Sequence, residues 1–437
     1  MNNEIFKELE TKIETEITVS GFVNSIRDLQ YVQFIILRNG IEQLQITIEK
    51  NDTNKKINDI VSNLRLESTI KVTGILKKNE KVKLKGLELI PNQIEVTSKN
   101  LDEIPVNLID KEKTLRETRL DYRFLDLRRK EANLIFQVQT TLLHTMREYW
   151  VNHDYIEINS PKILGTASES GATVFELDYF GTKAYLAQSP QFYKQMAMAA
   201  GFNQVFEIGP VFRAENSHTS YHATEFTSID AEISWINSYH ELMDIEEKLI
   251  VACFTKIKEK HGTDLKNVLN IDLKIPTVKF PRIPFQEVKE IIETEYNYHN
   301  PKKLDIDRKE EELISDYVYK KYNSEFVFIT EYPKEARPFY HMLDENNNTK
   351  SFDLIYKGIE ITTGAQREHR YEILKEQALN SGLSLETIAF YLDFFKYGCP
   401  PHGGFAIGLS RVLMRLFDLD NVREVTYIYR GPNRLHP

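Results

Sequence analysis

Cysteine is nearly absent from this chain, which has only Cys253 and Cys399 among its 437 residues. Two thiols are too few for a disulfide framework, and they cannot form a structural zinc site. Such low cysteine usage is typical of proteins in a reducing compartment. We therefore expect a cytoplasmic protein without structural disulfides.

Long hydrophobic runs and an excess of positive charge are also missing. No stretch approaches the roughly 20 apolar residues that a membrane span needs, so we expect no membrane association. The acidic, mixed residues 1–8 do not resemble a signal peptide. The formal net charge is −9, whereas a dedicated non-specific nucleic-acid binder is usually basic. Any RNA contact must therefore come from a local patch.

The common phosphate-binding loops are missing as well, because neither a Walker A pattern nor a dinucleotide-binding fingerprint occurs. Two arginines stand out instead. Arg213 lies in residues 206–216 (FEIGPVFRAEN) and Arg411 in residues 403–411 (GGFAIGLSR), each after a short apolar run. Planar, permanently charged guanidinium groups suit phosphate and purine recognition. If the chain binds a nucleotide, it does so without a P-loop.

The length allows two or three domains, and a hydrophobic content of 41% is ordinary for a globular protein. Residues 1–100 are interpreted as a small all-β domain, because Asn39-Gly40 is a strong hairpin signal and a polar, helical stretch lies at 52–66. The predicted strands are 16–24, 31–37, 42–48, 68–76 and 87–90. Five strands with one helix is an OB-fold-like count, although other small β-barrels remain open.

Residues 101–132 carry many charges and few helix or strand signals, so we interpret them as a linker between domains. In residues 133–437 strands dominate, and the apolar periodicity predicts helices at 131–151, 190–200 and 238–260. The absence of a βαβα rhythm favours an antiparallel α+β domain. The charged, helical residues 285–325 are interpreted as a peripheral insertion.

A candidate cation site lies in residues 352–364, where two strands flank Lys357-Gly358. If these two residues form the turn, Ile355 faces Glu360, and Asp353 is the diagonal neighbour of Glu360 on one face. Two carboxylates on one face repel unless a cation lies between them, and Mg²⁺ shared with substrate phosphates fits this arrangement. A solvated strand face is the competing interpretation, and the spacing alone favours it.

A candidate site for a small carboxylate follows from residues 187–194 (AQSPQFYK). Proline opens a helix there, which puts Gln191 and Lys194 three residues apart on one helix face. We expect Arg367, which follows the hairpin, to lie close to Lys194, and two converging cations suit a carboxylate. Taken singly, each of these residues is more simply interpreted as a surface group.

Phe226 is a candidate purine contact, because a phenylalanine opposite an arginine can hold a purine between its ring and the guanidinium group. Phenylalanine is more often part of a core, so this signal is weak alone. His222, His369 and His402 are isolated in the sequence, and we interpret them as structural histidines.

Taken together, these segments resemble the aspartyl-tRNA synthetases of the archaeal and eukaryotic type, in class IIb of the aminoacyl-tRNA synthetases. Residues 156–163, 209–226 and 400–411 resemble class II motifs 1, 2 and 3. The run QSPQ at 188–191 with Lys194 is the most specific feature and looks aspartyl rather than asparaginyl. The resemblance covers essentially the whole chain and includes an anticodon-binding OB domain.

The resemblance implies a fold and an activity. The fold is a six- or seven-stranded antiparallel sheet with flanking helices, preceded by an OB-fold barrel, in a homodimer built around motif 1. The activity is the ATP-dependent conversion of L-aspartate to aspartyl-adenylate, with transfer to tRNA(Asp). Whether tRNA(Asn) is a second acceptor stays open.

The resemblance also implies an ATP site formed by Arg213, Glu215, His222, Phe226, Glu360 and Arg411. Within it, Arg213 would hold the α-phosphate, Phe226 and Arg411 would enclose the adenine, and Glu215 would contact the adenine amino group. The implied Mg²⁺ ligands are Asp353 and Glu360, with Thr363 nearby.

Two further sets of residues follow from the same resemblance. Lys194 and Arg367 would bind the side-chain carboxylate of aspartate, while Gln191, Asp230 and Glu169 would position its α-amino end. The implied anticodon contacts are Arg27, Phe34, Gln43 and Glu88.

The chain departs from the family pattern at Tyr221, Ser410 and Ser170, where arginine, an acidic residue and glycine are usual. These departures motivate two alternatives, namely a paralogue that makes aspartyl-adenylate for a non-tRNA acceptor and an inactive RNA-binding module. An asparaginyl enzyme is disfavoured, because Lys194 would then face a neutral side chain.

Overall fold

The computed structural model of this chain describes residues 6, 8–166, 173–217, 219–276 and 279–437. These residues fall into two units, Met1–Leu134 and Ile135–Pro437. Glu169, an expected aspartate contact, and Ser170 lie outside the described residues.

A five-stranded β-barrel forms the core of the first unit. Its described strands are β1 (Glu16–Asp28), β2 (Val32–Asn39), β3 (Glu42–Glu49), β4 (Thr69–Lys78) and β5 (Leu87–Ser98). They close in the order β1-β2-β3-β5-β4, with helix α1 (Lys55–Ser62) between β3 and β4 and a 3₁₀ turn (Leu9–Lys12) before β1. This topology confirms the OB-fold prediction.

Local turn chemistry sets the register of the β2–β3 hairpin. Asn39 pairs with Glu42, and Gly40 between them has a φ of 59°. Glycine adopts this left-handed conformation at little cost, as the Asn-Gly signal predicts. The alternating residues Ile35 and Leu37 then point into the barrel, where both are fully buried.

Residues 101–132 differ from the predicted linker. They contain a 3₁₀ turn (Lys111–Lys113) and two short helices, α2 (Arg116–Asp121) and α3 (Arg123–Asp126), and they belong to the first unit. The physical reason is a buried charge cluster, in which the carboxylate of Asp126 is shared by Arg119, Arg123 and Arg129. Charged residues of the predicted linker are therefore buried and paired inside the unit.

The described part of the second unit contains an eight-stranded sheet. Its strands are β6 (Ile156–Glu157), β10 (Gln204–Phe212), β11 (Glu225–Ser234), β12 (Arg282–Pro284), β13 (Phe326–Thr330), β14 (Ser351–Tyr356), β15 (Ile359–Gln366) and β16 (His402–Gly408). They follow the order β12-β13-β14-β15-β16-β11-β10-β6. A separate three-stranded sheet contains β7 (Ile163–Leu164), β8 (Glu176–Tyr179) and β9 (Thr182–Leu186).

The α+β prediction is confirmed, but the expected six- or seven-stranded antiparallel sheet is wrong at its edges. The six central strands pair antiparallel, whereas β6 pairs parallel to β10 and β12 pairs parallel to β13. The two outer strands have only two and three residues. Strands this short carry no usable periodicity in a sequence.

The helices of the second unit flank these strands. They are α4 (Lys130–Asn152), which begins in the first unit, α5 (Gln191–Ala199), α6 (Tyr239–Leu269), α7 (Phe285–Tyr296), α8 (Arg308–Tyr322), α9 (Tyr371–Asn380), α10 (Ala389–Lys396), α11 (Leu409–Leu416) and α12 (Val422–Val425). A further 3₁₀ turn covers Lys334–Ala336. Among the described helices, none combines the length and the apolar character that crossing a membrane requires.

Helix boundaries follow local capping signals. Helix α6 begins with a capping box between Ser238 and Glu241 and continues past the predicted end at residue 260 until Asn270, whose φ is 57°.

In residues 285–325 the structure contains α7 and α8, which pack through Val288, Ile292 and other apolar residues against β13. That packing leaves the N-terminal part of α8 beside the β14–β15 hairpin.

We expect the substitution Asp126→Asn to lower the free energy of unfolding by roughly 3–5 kcal/mol, because it leaves three buried arginine charges without their shared carboxylate. The measurement is urea-induced unfolding followed by circular dichroism. Asp59→Asn, at an exposed position on α1, is the matched control and should have little effect. Equal losses in the two variants would contradict the role of the cluster.

Candidate active site

A cavity of about 220 Å³ in the second unit is lined by the residues expected to bind a nucleotide, and is here called the nucleotide cavity. It lies beyond the last pair of the β10–β11 ladder, in which Phe212 faces Glu225. Its lining also includes Tyr221 and Ser410, where the chain departs from the family pattern. The predicted residues in its wall are Arg213, Glu215, His222, Phe226, Glu360, Thr363 and Arg411.

Arg213 and Phe226 lie together in this cavity. The guanidinium carbon of Arg213 is 5.3 Å from the centre of the Phe226 ring, within the range of a cation–π contact. The loop that leads from one to the other is fastened at Thr224, whose carbonyl accepts from the Arg213 N–H and whose own N–H donates to Arg430. Arg213 and Phe226 thus lie on one wall of the cavity, and backbone hydrogen bonds at Thr224 hold the segment between them.

His222 is neutral at neutral pH. Burial lowers the pKa of its imidazole, and the positive charges of Arg411 and Arg213 lower it further, against an opposing effect of Glu215. Its Nε2 lies 3.8 Å from the Glu215 carboxylate. Although we interpreted His222 as structural from sequence alone, it belongs to the cavity wall as the resemblance implies.

The β14–β15 hairpin turns at Lys357 and Gly358, with φ values of 45° and 74°. Ile355 pairs with Glu360, as the sequence predicts. An irregularity after Leu354 then shifts the register, so that Asp353 faces Thr363. Asp353 and Glu360 still repel each other after this shift: burial raises the pKa of Glu360, and the negative charge of Asp353 raises it further.

Two arginines compensate this pair of carboxylates. Arg337, which the sequence analysis missed, binds Asp353 Oδ2 at 2.5 Å and stacks on Tyr332. Arg411 lies 3.4 Å from the Glu360 carboxylate and donates to the Glu360 carbonyl at 2.9 Å. Nothing in the spacing of the chain ties Arg337 to this hairpin, since it comes from a separate loop.

The carboxylates of Asp353 and Glu360 suit a hard cation whose coordination shell is completed by other ligands. Asp353 Oδ1 is buried without a hydrogen-bond partner among the described residues. The described residues contain no group of three or more His, Cys, Asp or Glu side chains arranged to hold a metal ion. Mg²⁺ is usually bound by one or two carboxylates together with phosphates and water, which matches Asp353 and Glu360.

Glu311 on α8 is a further acidic neighbour that the sequence analysis missed. Its carboxyl accepts from the Glu360 N–H at 3.3 Å. Burial raises the pKa of Glu311 to about 8, and the nearby Glu360 contributes. The predicted insertion therefore reaches the β14–β15 hairpin, here called the carboxylate hairpin because it carries Asp353 and Glu360.

A second cluster, here called the carboxylate-binding group, brings together four of the residues expected to bind aspartate. Lys194 is fully buried on α5, with Nζ 2.8 Å from Asp230 and 3.4 Å from Glu232. Arg367 donates to Glu232 at 3.0 Å and to Gln191 at 3.2 Å. As expected, the two cations converge, but they converge on the protein carboxylate of Glu232, which the prediction did not include.

Glu232 is ionised at the centre of this group. Burial by itself raises its pKa, but the charges of Arg367 and Lys194 outweigh burial and lower the pKa below its ordinary value. Strand alternation could have identified it, because Ser228, Asp230 and Glu232 are spaced two apart along β11 and so point to one face.

Arg367 is oriented by further buried groups. His341 lies 3.1 Å from one guanidinium nitrogen, and the carbonyl of Gly404 accepts from another at 3.0 Å. Burial and the charge of Arg367 hold the pKa of His341 well below its usual range, so the imidazole is neutral. Gln191 in turn donates to Gln195 at 3.2 Å. The whole group is a connected polar network without water-exposed members.

In the first unit, a cavity of about 1010 Å³ lies on the barrel. Gln43 accepts from Lys130 at 2.7 Å, and Glu88 accepts from Thr47 and Asn79. All four expected anticodon contacts and several lysines line this cavity, namely Arg27, Phe34, Gln43, Glu88, Lys50, Lys81 and Lys83. The lysines bring positive charge to this cavity, whose lining also includes Glu49 and Glu88.

Comparison with known proteins agrees with both units. Residues 17–97 match the OB-fold nucleic acid binding domain family, and residues 115–429 match the family of class II tRNA synthetases (D, K and N). The second match begins inside the segment that we predicted to be a linker.

Relatives of similar length cover nearly the whole chain. The aspartate–tRNA(Asp) ligase of Pyrococcus abyssi is 41% identical over 100% of this chain and 99% of its own length. The aspartate–tRNA(Asp/Asn) ligase of Methanopyrus kandleri is 40% identical over 97% of this chain and 96% of its own length.

Solved structures agree. A putative aspartyl-tRNA synthetase from Leishmania major Friedlin has a TM-score of 0.91 and 30% identity, covering 99% of this chain and 94% of that one. Asparaginyl-tRNA synthetase from Pyrococcus horikoshii, complexed with asparaginyl-adenylate, has a TM-score of 0.89 and 29% identity, covering 98% and 97%. With a family match over more than half of its length and relatives near 40% identity, the chain belongs to the class II tRNA synthetases of the D, K and N group.

Proposed function

We propose that this chain is an aspartate–tRNA ligase, which activates L-aspartate with ATP and transfers the aspartyl group to tRNA(Asp). The observation that carries the proposal is the link between the two clusters of the second unit. Ser228 lines the nucleotide cavity and donates to Asp230 at 2.5 Å, and Asp230 pairs with the buried Lys194. An amino acid held at Lys194 would therefore lie beside a nucleotide.

In this proposal, ATP occupies the cavity around Arg213 and Phe226. The α-carboxylate of aspartate attacks the α-phosphate of ATP, and pyrophosphate leaves. No protein nucleophile is therefore required. Arg213 neutralises the charge that develops at the phosphate, and Arg411 together with Phe226 encloses the adenine. Glu215 accepts from the adenine amino group. His222, which is neutral, adds no charge to the site.

Magnesium is part of the proposal. Asp353 and Glu360 would hold the ion, with Thr363 beside them donating to Glu360 at 3.1 Å. When bound, the ion neutralises phosphate charge. Arg337 and Arg411 fix the two carboxylates in position, which reduces the rearrangement that metal binding requires.

Aspartate selection rests on Lys194 and Arg367. Their charge-assisted bonds favour a carboxylate over the neutral amide of asparagine. Asp230 and Gln191, which bond to these two cations, would position the α-amino end. Glu232 already neutralises part of this positive charge. We therefore place discrimination against asparagine near the low end of the roughly 2–5 kcal/mol that a lost buried charge pair costs.

tRNA is the proposed acceptor because the barrel cavity retains the full set of expected anticodon residues. Phe34 is the stacking surface, and Arg27 with the neighbouring lysines contacts the backbone. This observation favours a tRNA acceptor over a small-molecule acceptor. The relatives named above differ in whether tRNA(Asn) is included, so both tRNAs belong in the test.

A homodimer built around motif 1 is also proposed. Strand β6 is one of the two edge strands of the sheet, and Val151 on α4 and Ile156 on β6 are exposed at 58% and 46%. An edge strand beside exposed apolar side chains is a surface that a second copy would cover.

Charging assays with tRNA(Asp) and tRNA(Asn) transcripts, alongside aspartate-dependent ATP–pyrophosphate exchange, test the proposed function. We expect exchange with aspartate but not with asparagine, and charging of tRNA(Asp). Exchange without charging of either transcript would replace the proposal by a ligase for a non-tRNA acceptor. tRNA binding without exchange would leave only an RNA-binding module.

We expect Arg367→Lys to lower kcat/KM for aspartate about 100-fold, because lysine keeps the charge but loses the planar fork that reaches Glu232 and Gln191. The KM of ATP should change little. Arg370→Lys is the control, since Arg370 is half-exposed and pairs with Glu368. Steady-state exchange kinetics and thermal melting measure both variants, and equal effects on aspartate and ATP would count against a role in aspartate binding.

Phe34→Leu should weaken tRNA(Asp) binding roughly 5- to 100-fold, because one aromatic stacking surface for a base is lost. ATP–pyrophosphate exchange should not change, since Phe34 lies in the first unit and adenylate formation needs only the second. The control is Phe124→Leu, an exposed phenylalanine that does not line the barrel cavity. Filter binding with tRNA transcript gives the affinities, and loss of exchange activity would refute the division of labour.

A further inference from the structure

We infer that helix α8, in the predicted insertion, helps to position ATP. A cation–π stack between Arg308 and Tyr221 connects the motif 2 loop, the part of residues 209–226 that contains Tyr221, to the carboxylate hairpin. Arg308 and Tyr221 are thus positioning residues for ATP and its metal. The inference rests on the proposed function for the identity of the nucleotide.

The first contact joins α8 to the motif 2 loop. The guanidinium carbon of Arg308 lies 4.5 Å from the centre of the Tyr221 ring, which is a close cation–π stack. Tyr221 lines the nucleotide cavity next to His222, whereas Arg308 does not. Arg308 therefore contacts the cavity wall through Tyr221 rather than lining the cavity itself.

The second contact joins α8 to the turn of the β14–β15 hairpin. Arg308 donates to the carbonyl of Gly358, and the Gly358 N–H donates to Ser315 at 2.9 Å. Helix and turn approach so closely that a Cβ on Gly358 would lie 3.2 Å from the Glu312 backbone. The φ of 74° also favours glycine at this position.

The third contact reaches the proposed metal ligand itself. Glu311, one turn along α8 from Arg308, accepts from the Glu360 N–H at 3.3 Å. Glu311 and Glu312 also hold Arg308 at 3.0 and 3.4 Å, so its guanidinium group is oriented before it meets Tyr221. One helical turn therefore fixes both ends of the cavity wall, the loop at Tyr221 and the hairpin at Glu360.

These contacts hold the loop at Tyr221 and the carboxylate hairpin in a fixed arrangement, although the two segments are far apart in the chain. When the stack is lost, the motif 2 loop and the hairpin can move independently. The cavity then loses preorganisation for ATP with its metal, which weakens binding. The carboxylate-binding group has none of these contacts, so aspartate recognition should not change.

Four variants test the inference, namely Arg308→Gln, Tyr221→Leu, their combination and Tyr221→Phe. The readouts are the dissociation constant of Mg²⁺–ATP by isothermal titration calorimetry and the KM values of ATP and aspartate in pyrophosphate exchange. We expect about 3- to 10-fold weaker Mg²⁺–ATP binding in each of the first two variants, as the loss of a cation–π contact predicts. The KM of aspartate should stay within about twofold.

The combination should be no worse than about 10-fold, because both changes remove the same interaction. Tyr221→Phe keeps the ring and should bind Mg²⁺–ATP like the unchanged chain. The matched control is the pair Lys321→Gln and Tyr317→Leu, a cation–π contact of 5.0 Å on the same helix, away from the hairpin turn. If Arg308→Gln does not fold, Arg308→Lys replaces it, since lysine keeps the charge but cannot stack as a plane.

Three results would overturn the inference. They are unchanged Mg²⁺–ATP binding in Arg308→Gln, a combined effect equal to the product of the single effects, or an equal loss in the control pair. Failure of the proposed function looks different, because the unchanged chain would then show no aspartate-dependent exchange. The calorimetric titration with Mg²⁺–ATP would still decide whether Arg308 acts through Tyr221.

Discussion

The buried contact of Glu232 with Lys194 and Arg367 is the constraint on which the second unit depends. Three charges are removed from water there, and such burial is tolerated only when each charge has close partners. Glu232 comes from β11, Lys194 from α5, and Arg367 from the residue that follows β15. Ionic and hydrogen bonds among them therefore fix two sheet strands and a helix relative to one another, and they do so at the place where an amino acid is proposed to bind.

Strand β11 connects this contact to the nucleotide cavity. Phe226, Ser228, Asp230 and Glu232 are spaced two apart along it, so they lie on one face, from the proposed purine contact to the proposed amino-acid site. The hydrogen bond from Ser228 to Asp230 joins the two clusters. A single strand thus sets the distance between the proposed substrates, and a rigid strand is better suited to this than a loop because its neighbours on both sides hold it.

The carboxylate hairpin faces the opposite electrostatic problem, since Asp353 and Glu360 repel each other. Arg337 and Arg411 compensate them, and the β14 irregularity sets the geometry of the pair. Helix α8 then contacts the turn of the same hairpin, which makes the insertion a structural neighbour of the nucleotide cavity. Short contacts in this way join the proposed cation ligand Glu360, the loop at Tyr221 and helix α8.

The sequence by itself determined the barrel, the helices with clear periodicity and the hairpin at Lys357-Gly358, because alternation and turn chemistry are local properties. The resemblance named most of the residues that the structure brings together in the two clusters, but it did not include Glu232, Arg337 or Glu311. Only the tertiary structure decided that Glu232 lies between the two cations, that Arg337 serves Asp353, that Asp126 gathers three arginines in the segment 101–132, and that Arg308 stacks on Tyr221. These contacts join residues by charge across separate elements, and a pairing of charges depends on distance in space, which spacing along the chain does not encode.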